Sequence, residues 1–355
     1  MKNKVKAFLL CAISVGTFYS FQNVSASAVD FQVNPLPSEK QVDKSLSYYD
    51  LQLKPKEATE LVVQVTNNAN HPIVVDTNVD HASTNSNGVV EYKNSQQFEV
   101  ANLTNDMKQL VKVQVDKIAL KANETKELTY TITAPEKTFD GVVAGGINLI
   151  EGISKETQDS AANKSSMAVQ NQYGYTIALI LHGEKEITKP IVEAGKIKVE
   201  QINGRNSIKF PLKNTSAMFI NKLNVKGDIR KADEEKVLYT TKIENGQQAP
   251  NSVYNFDIRT DGKELSPGKY TATLTAESKG EKWEFKQNFT ISKKTAADLN
   301  KTAITKEEDH TMLYLILLVC GILLLLFIII FIYIRKKNQK IKKLMNELQK
   351  EDSAS

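Results

Sequence analysis

From residue 29 to about residue 292, apolar and polar residues alternate in short runs separated by polar turns. Residues 60–66 (ELVVQVT) put Leu61, Val63 and Val65 on one side, and residues 125–133 (TKELTYTIT) repeat the pattern. That period of two marks half-buried strands. Further strands are expected at 46–53, 73–79, 89–92, 112–116 and 141–150, with a short helix within 103–110. Asn, Gly and Pro clusters such as Asn67–Pro72 and Asn85-Ser-Asn-Gly88 supply the turns. Strands at this spacing, with no sustained helical period, predict an immunoglobulin-like β-sandwich over 29–152. Residues 153–171 are polar and lack alternation, so they are expected to be a linker. A second series follows, at 173–181, 197–202, 207–212, 223–229, 236–239, 253–258, 268–276 and 283–291. It predicts a second sandwich over 172–292, and the charged residues 293–311 are expected to form a stalk. The fold class is therefore all-β, two tandem sandwiches.

The alternation ends at residues 312–334, MLYLILLVCGILLLLFIIIFIYI, which hold no charge. As a helix at about 1.5 Å per residue this run measures roughly 34 Å, enough for a hydrocarbon core of about 30 Å. Arg335, Lys336, Lys337, Lys340, Lys342 and Lys343 follow at once, which predicts a single-pass span with the C-terminus in the cytoplasm. Residues 335–355 are then a basic cytoplasmic tail in reach of anionic membrane lipid, with Ile341, Leu344, Met345 and Leu348 at the spacing of a short interfacial helix. At the other end, Lys2, Lys4 and Lys6 precede an apolar stretch and the small residues Ala26-Ser-Ala28. Residues 1–28 therefore read as a secretory signal peptide, cut after Ala28 or alternatively after Ala26. No Leu-Pro-x-Thr-Gly-like sorting pentapeptide precedes the span, so retention in the membrane is expected.

Charge changes the picture only when divided by compartment. Of the formal +5, the signal segment supplies three and residues 335–355 four, leaving −2 on the ectodomain. That excludes a basic field for nucleic acid. The two cysteines, Cys11 and Cys320, fall in the signal peptide and the span, so the ectodomain is held by its cores and not by disulfides.

Candidate chemistry is sparse. His71, His81, His182 and His310 lie far apart and predict no metal site; Asp76 and Asp80-His81 are the nearest approach to a polar cluster. Gly141-x-x-x-Gly145-Gly146 lacks the Lys-Ser/Thr of a phosphate loop, and its glycines are expected to permit a bulge or close packing. No cofactor motif, nucleophile elbow or paired acid is present to suggest an enzyme. Trp283, Phe285 and Phe289 alternate and are expected in the second core. Tyr48 and Tyr49 are adjacent and so face opposite ways. An exposed tyrosine beside Asn85, Asn87 or Tyr92 would suit stacking on sugars, which makes Tyr48, Tyr49, Asn85, Asn87 and Tyr92 the candidate binding residues.

Several segments carry a family resemblance. Phe31-Gln-Val-Asn-Pro35, Tyr48-Tyr-Asp-Leu-Gln-Leu53, Val65-Thr-Asn67, Ala82-Ser-Thr-Asn85 with Asn87-Gly88 and Tyr92, and Phe139-Asp-Gly141 with Gly145-Gly146-Ile147 resemble the peptidoglycan-binding domain of WxL-interacting cell-surface proteins. Gln172-Tyr-Gly-Tyr175, Ala249-Pro-Asn-Ser252, Gly268-Lys-Tyr270 and Trp283-x-Phe285 with Phe289 resemble the host-binding domain of the same family. Lys54-Pro55-Lys56-Glu57 departs from the family's tendency to Pro-Gly. The resemblance implies a cell-surface scaffold of low-GC Gram-positive bacteria, active in adhesion. Its implied partners are WxL-domain surface proteins, peptidoglycan and host matrix proteins. Two other classes compete with this one, a receptor signalling through its tail and a wall-processing enzyme.

Overall fold

The computed structural model describes residues 29–93, 99–152, 173–304 and 311–352. The expected signal peptide and linker lie outside the described residues. The first strands are β1 (Phe31–Pro35), β2 (Tyr49–Gln52), β3 (Ala58–Asn67) and β4 (Ile73–His81), then the short hairpin β5 (Ser83–Thr84) and β6 (Val90–Glu91). A single turn of helix, α1 (Met107–Leu110), precedes β7 (Val111–Val113), β8 (Lys117–Leu120), β9 (Thr125–Thr133), β10 (Val142–Glu151) and β11 (Gly174–His182). One sheet has the order β1-β3-β9-β7 and the other β2-β11-β10-β4-β8, with β11 antiparallel to β10 and parallel to β2. Alternation explains the packing: Leu61, Val63 and Val65 on β3 are fully buried against Ile147 and Leu149 of the facing sheet's β10.

Order along the chain places residues 173–181 in the second series, yet β11 fills the gap between β2 and β10 in the first sandwich. Its Ile177, Leu179 and Leu181 are buried in the first core. Alternation dictates that a strand has one apolar face; it does not dictate which sheet that face joins.

The second sandwich comprises β12 (Val192–Ala194), β13 (Lys198–Ile202), β14 (Arg205–Asn214), β15 (Ile220–Lys231), β16 (Val237–Gln248), β17 (Val253–Arg259), β18 (Gly268–Ser278) and β19 (Glu281–Ile291). On one side β14 is flanked by β12, β13 and β17; on the other the order is β16-β15-β18-β19. Phe210, Phe256, Ile258, Ile229 and Leu274 fill the space between. Trp283, Phe285 and Phe289 do lie on one face of β19, but that strand is an edge, so they are half-buried and lean on this core. Phe289 stacks on Tyr270 at 5.6 Å.

The expected stalk begins as part of this sandwich. Helix α2 (Lys293–Thr302) is capped by Ser292, whose Oγ accepts the Thr295 amide at 3.0 Å. Ala296 and Leu299 pack on the second core, and the Asn300 side chain exchanges two 2.9 Å bonds with the Leu265 backbone. A mostly polar helix needs only two such apolar contacts, which is why its composition resembled a stalk.

A separate unit is the helix α3 (Thr311–Asp352), 42 residues without a break. Within it, Leu315–Lys342 is long and apolar enough to cross a membrane. The basic residues after Ile334 continue the same helix rather than starting a new one.

Candidate functional site

The two sandwiches meet through residues that the turn chemistry of the first had already singled out. The β5–β6 turn is built by Asn85: its Oδ1 accepts the amides of Asn87 (2.9 Å) and Val89 (3.1 Å), and its Nδ2 donates to Glu91 Oε1 at 2.6 Å. Gly88 closes the turn with φ +71°, a conformation that suits glycine. The turn is then held against the second sandwich, where Gln247 N–H donates to Gly88 O at 2.7 Å.

Behind the turn, Ala249 N–H donates to Thr84 Oγ1 (2.9 Å) and Ser252 Oγ–H to Ala249 O (2.8 Å). The remaining bond, Thr84 Oγ1 to Ser252 Oγ at 2.9 Å, must therefore use the Thr84 hydrogen. A second stretch of the first domain, residues 99–102, pairs with the same corner: Val253 N–H reaches Glu99 O, Ala101 N–H reaches Asn251 O, and Asn251 Nδ2 reaches Asn102 O. Ala82, Ala144 and Ala249 form a small apolar core at the joint, with Val90, Tyr92 and Phe219 packed around it. Val142 N–H donating to Ala217 O extends the contact.

Asp257 lies under the turn on β17. Burial pushes its carboxyl up to about 6, the Lys209 charge opposes that rise, Glu200 adds to it, and the Ser86 hydroxyl of the turn and Arg259 also oppose it.

The five candidate binding residues separate into three groups. Tyr49 is buried in the first core with its hydroxyl donating to Val62 O at 2.7 Å, so it presents nothing to a ligand. Asn85 shapes the turn, while Asn87 stands at its tip. Tyr92 is half-buried at the joint, its carbonyl accepting from Asn148 Nδ2 at 3.0 Å. The Tyr48 hydroxyl lies close enough to add to the rise that burial imposes on the Tyr92 phenol. Asn148 in turn bonds Asn78 and Thr176, its direct neighbours across β4 and β11.

The glycines behave as expected from close packing. A Cβ on Gly146 would press on Tyr92 Cβ, and one on Gly145 on Asp80 O and Met107. What the sequence did not reveal is Thr84 with Ser252, two small polar residues with no local pattern.

Between the turn and the β15–β16 pair lies an open crevice of about 450 Å3. Asn87, Gly88 and Val89 form one wall; Asn221, Lys222, Glu244, Asn245, Gly246 and Gln247 form the other. Among the described residues no group of three or more His, Cys, Asp or Glu side chains is arranged to hold a metal ion.

The architecture is that of paired β-sandwich modules followed by a long apolar helix. Residues 31–151 match the WxL Interacting Protein peptidoglycan binding domain, and residues 164–301 match the WxL Interacting Protein host binding domain. The chain belongs to the WxL Interacting Protein family, and its role is binding at the cell surface. The second match begins ahead of β11, so the segment that carries it contributes a strand to the first sandwich. No curated protein matches the chain. Solved structures with some likeness include an Acinetobacter baumannii CsuC–CsuE chaperone–tip adhesion subunit complex, at 14% identity and TM-score 0.32 over 73% of this chain and 98% of that one. The E. coli chaperone DraB has 15% identity and TM-score 0.28 over 74% and 98%. At these scores neither carries a functional conclusion.

Proposed function

We propose that this protein is a membrane-anchored scaffold of the cell surface that works with WxL proteins, holding peptidoglycan through its first module and a host or partner protein through its second. The observation that carries this is the order of parts: a peptidoglycan-binding match, a host-binding match, then a helix long and apolar enough to cross a membrane. The basic run after Ile334 supports an orientation with both modules outside and the C-terminus in the cytoplasm.

The test is a pull-down from envelope fractions with the detergent-extracted full chain, alongside protease treatment of intact, wall-stripped cells. Recovery of wall material and of an exported WxL protein is the expected result, together with a protease-protected C-terminal fragment. Turnover of wall fragments, or cleavage of a C-terminal epitope from outside, would overturn it.

A further inference from the structure

We propose that the crevice between the β5–β6 turn and the β15–β16 pair is a subsite for a neutral glycan, recognised through its hydroxyl and acetamido groups. This rests on the reading of the chain as a wall-glycan binder, and adds the place and the chemistry.

Three features of the crevice point there. The first is its donor and acceptor set. Four carboxamides, Asn87, Asn221, Asn245 and Gln247, line one cavity. Each carries a donor and an acceptor side by side, the arrangement that matches adjacent hydroxyls or an acetamido group. Gln247 Nε2 donates to Asn221 Oδ1 at 3.0 Å, which leaves Gln247 Oε1 and Asn221 Nδ2 for a ligand. Among the described residues the Asn87, Asn245 and Lys222 side chains have no hydrogen-bond or ion-pair partner.

The second feature is charge and polarity. The lining holds one carboxylate, Glu244, which is ion-paired with neighbouring Lys242, and one cation, Lys222, so a single uncompensated charge faces the crevice, too little to steer a polyanion. The single apolar side chain is Val89, half exposed at the rim, which suits the C–H face of one pyranose ring. A peptide needs apolar pockets or an open strand edge. The lining has no apolar pocket, β15 is paired on both sides, and at the crevice the outer edge of β16 is taken by the turn, where Gln247 N–H donates to Gly88 O.

The third feature is rigidity. Lys222, Asn245 and Gly88 all hold left-handed backbone, at φ 52°, 55° and 71°. Register shifts at Asn221/Leu223 and Leu223/Val225 turn the β15 wall locally out of the regular ladder. Asn245 N–H is fixed by Asn224 Oδ1 at 2.9 Å, and Gly246 sits under Gly88. The walls come from both domains, so the joint that fixes their angle also fixes the crevice.

The experiment is sedimentation of the full chain, in detergent, with purified peptidoglycan sacculi, using the β-1,4-linked N-acetylglucosamine tetramer as competitor. The variant is Asn87→Ala with Asn245→Gly; glycine accepts the left-handed backbone at 245, and neither side chain supports the fold. The wild-type chain should sediment and be displaced by the tetramer, and the variant should bind about tenfold more weakly at an unchanged melting temperature, as expected for two lost neutral hydrogen bonds. If wild type and variant sediment alike, the crevice assignment fails while the wall-binding reading stands. If the wild-type chain does not sediment at all, that reading fails and takes this one with it. Displacement by amidase-released stem peptide and not by the tetramer also overturns the glycan assignment.

Discussion

Thr84 Oγ1 and Ser252 Oγ lie 2.9 Å apart, 168 residues distant in sequence, and both side chains are buried. The pair closes a three-bond cycle with Ala249 that has no spare donor. Thr84→Val should leave the Ala249 amide buried without an acceptor and destabilise the joint by about 1–3 kcal/mol. Urea unfolding followed by tryptophan and far-UV signals should then separate into two transitions, because Trp283 reports on the second sandwich alone. Coincident, unshifted transitions would refute the role given to Thr84; Thr84→Ser should stay near wild type.

A fragment of residues 29–152 should fail to unfold cooperatively, and a fragment of 29–186 should regain a cooperative transition. The difference is β11, whose Ile177, Leu179 and Leu181 are buried. Each contributes about 1.5–3 kcal/mol, a sum comparable with the whole stability of a typical domain. A sharp melting transition in the shorter fragment would show that β11 is dispensable.

Stability should rise as pH falls through about 6. Asp257, held up to about 6 mainly by burial, binds its proton more tightly folded than unfolded, where the carboxyl titrates near 3.8. Its contribution is therefore fully present below about 4 and lost as pH rises through about 6, an effect on the order of 2 kcal/mol. Asp257→Asn should raise the melting temperature at pH 7.5 and flatten the profile between pH 4 and 7. An unchanged slope in the variant would assign the effect to other groups.

Gly146→Ala should cost at least about 2 kcal/mol and loosen the joint, since the new methyl meets Tyr92 Cβ and Thr176. Gly280→Ala is the contrasting case. Nothing stands within 4 Å of a Cβ there, and only the φ of +91° resists the change. Thermal melts of both variants distinguish crowding from backbone strain.

Strand positions were legible because alternation is written locally: β3, β9, β14, β15 and β18 each show it within their own residues. Sheet membership was not, because β11 has the same alternation whichever sandwich it completes. Helix α2 was hidden for the opposite reason, with only Ala296 and Leu299 to mark a buried side. Among the candidate binding residues, adjacency puts Tyr48 and Tyr49 on opposite faces, but it does not say that Tyr49 is the fully buried member or that Tyr48 is half-buried against the same core. The Asn85 carboxamide bonds Asn87, Val89 and Glu91 and so shapes the turn, a role that residue type alone does not distinguish from ligand contact. The segments that carry the family resemblance, Ala82–Asn85 in one module and Ala249–Ser252 in the other, stand far apart in the chain. They are two halves of one joint.

That division has a consequence for how such chains can be shuffled. A genetic cut in the interval between the two family matches, after residue 151 and before residue 164, separates what resemble independent cassettes. A new second cassette spliced there brings its own version of β11 into the middle of the resident first sandwich, and its own partner for Thr84. Exchange of one cassette alone at that seam should therefore give a sound first sandwich and joint only where the incoming counterparts of Ile177, Leu179, Leu181 and Ser252 suit the resident ones.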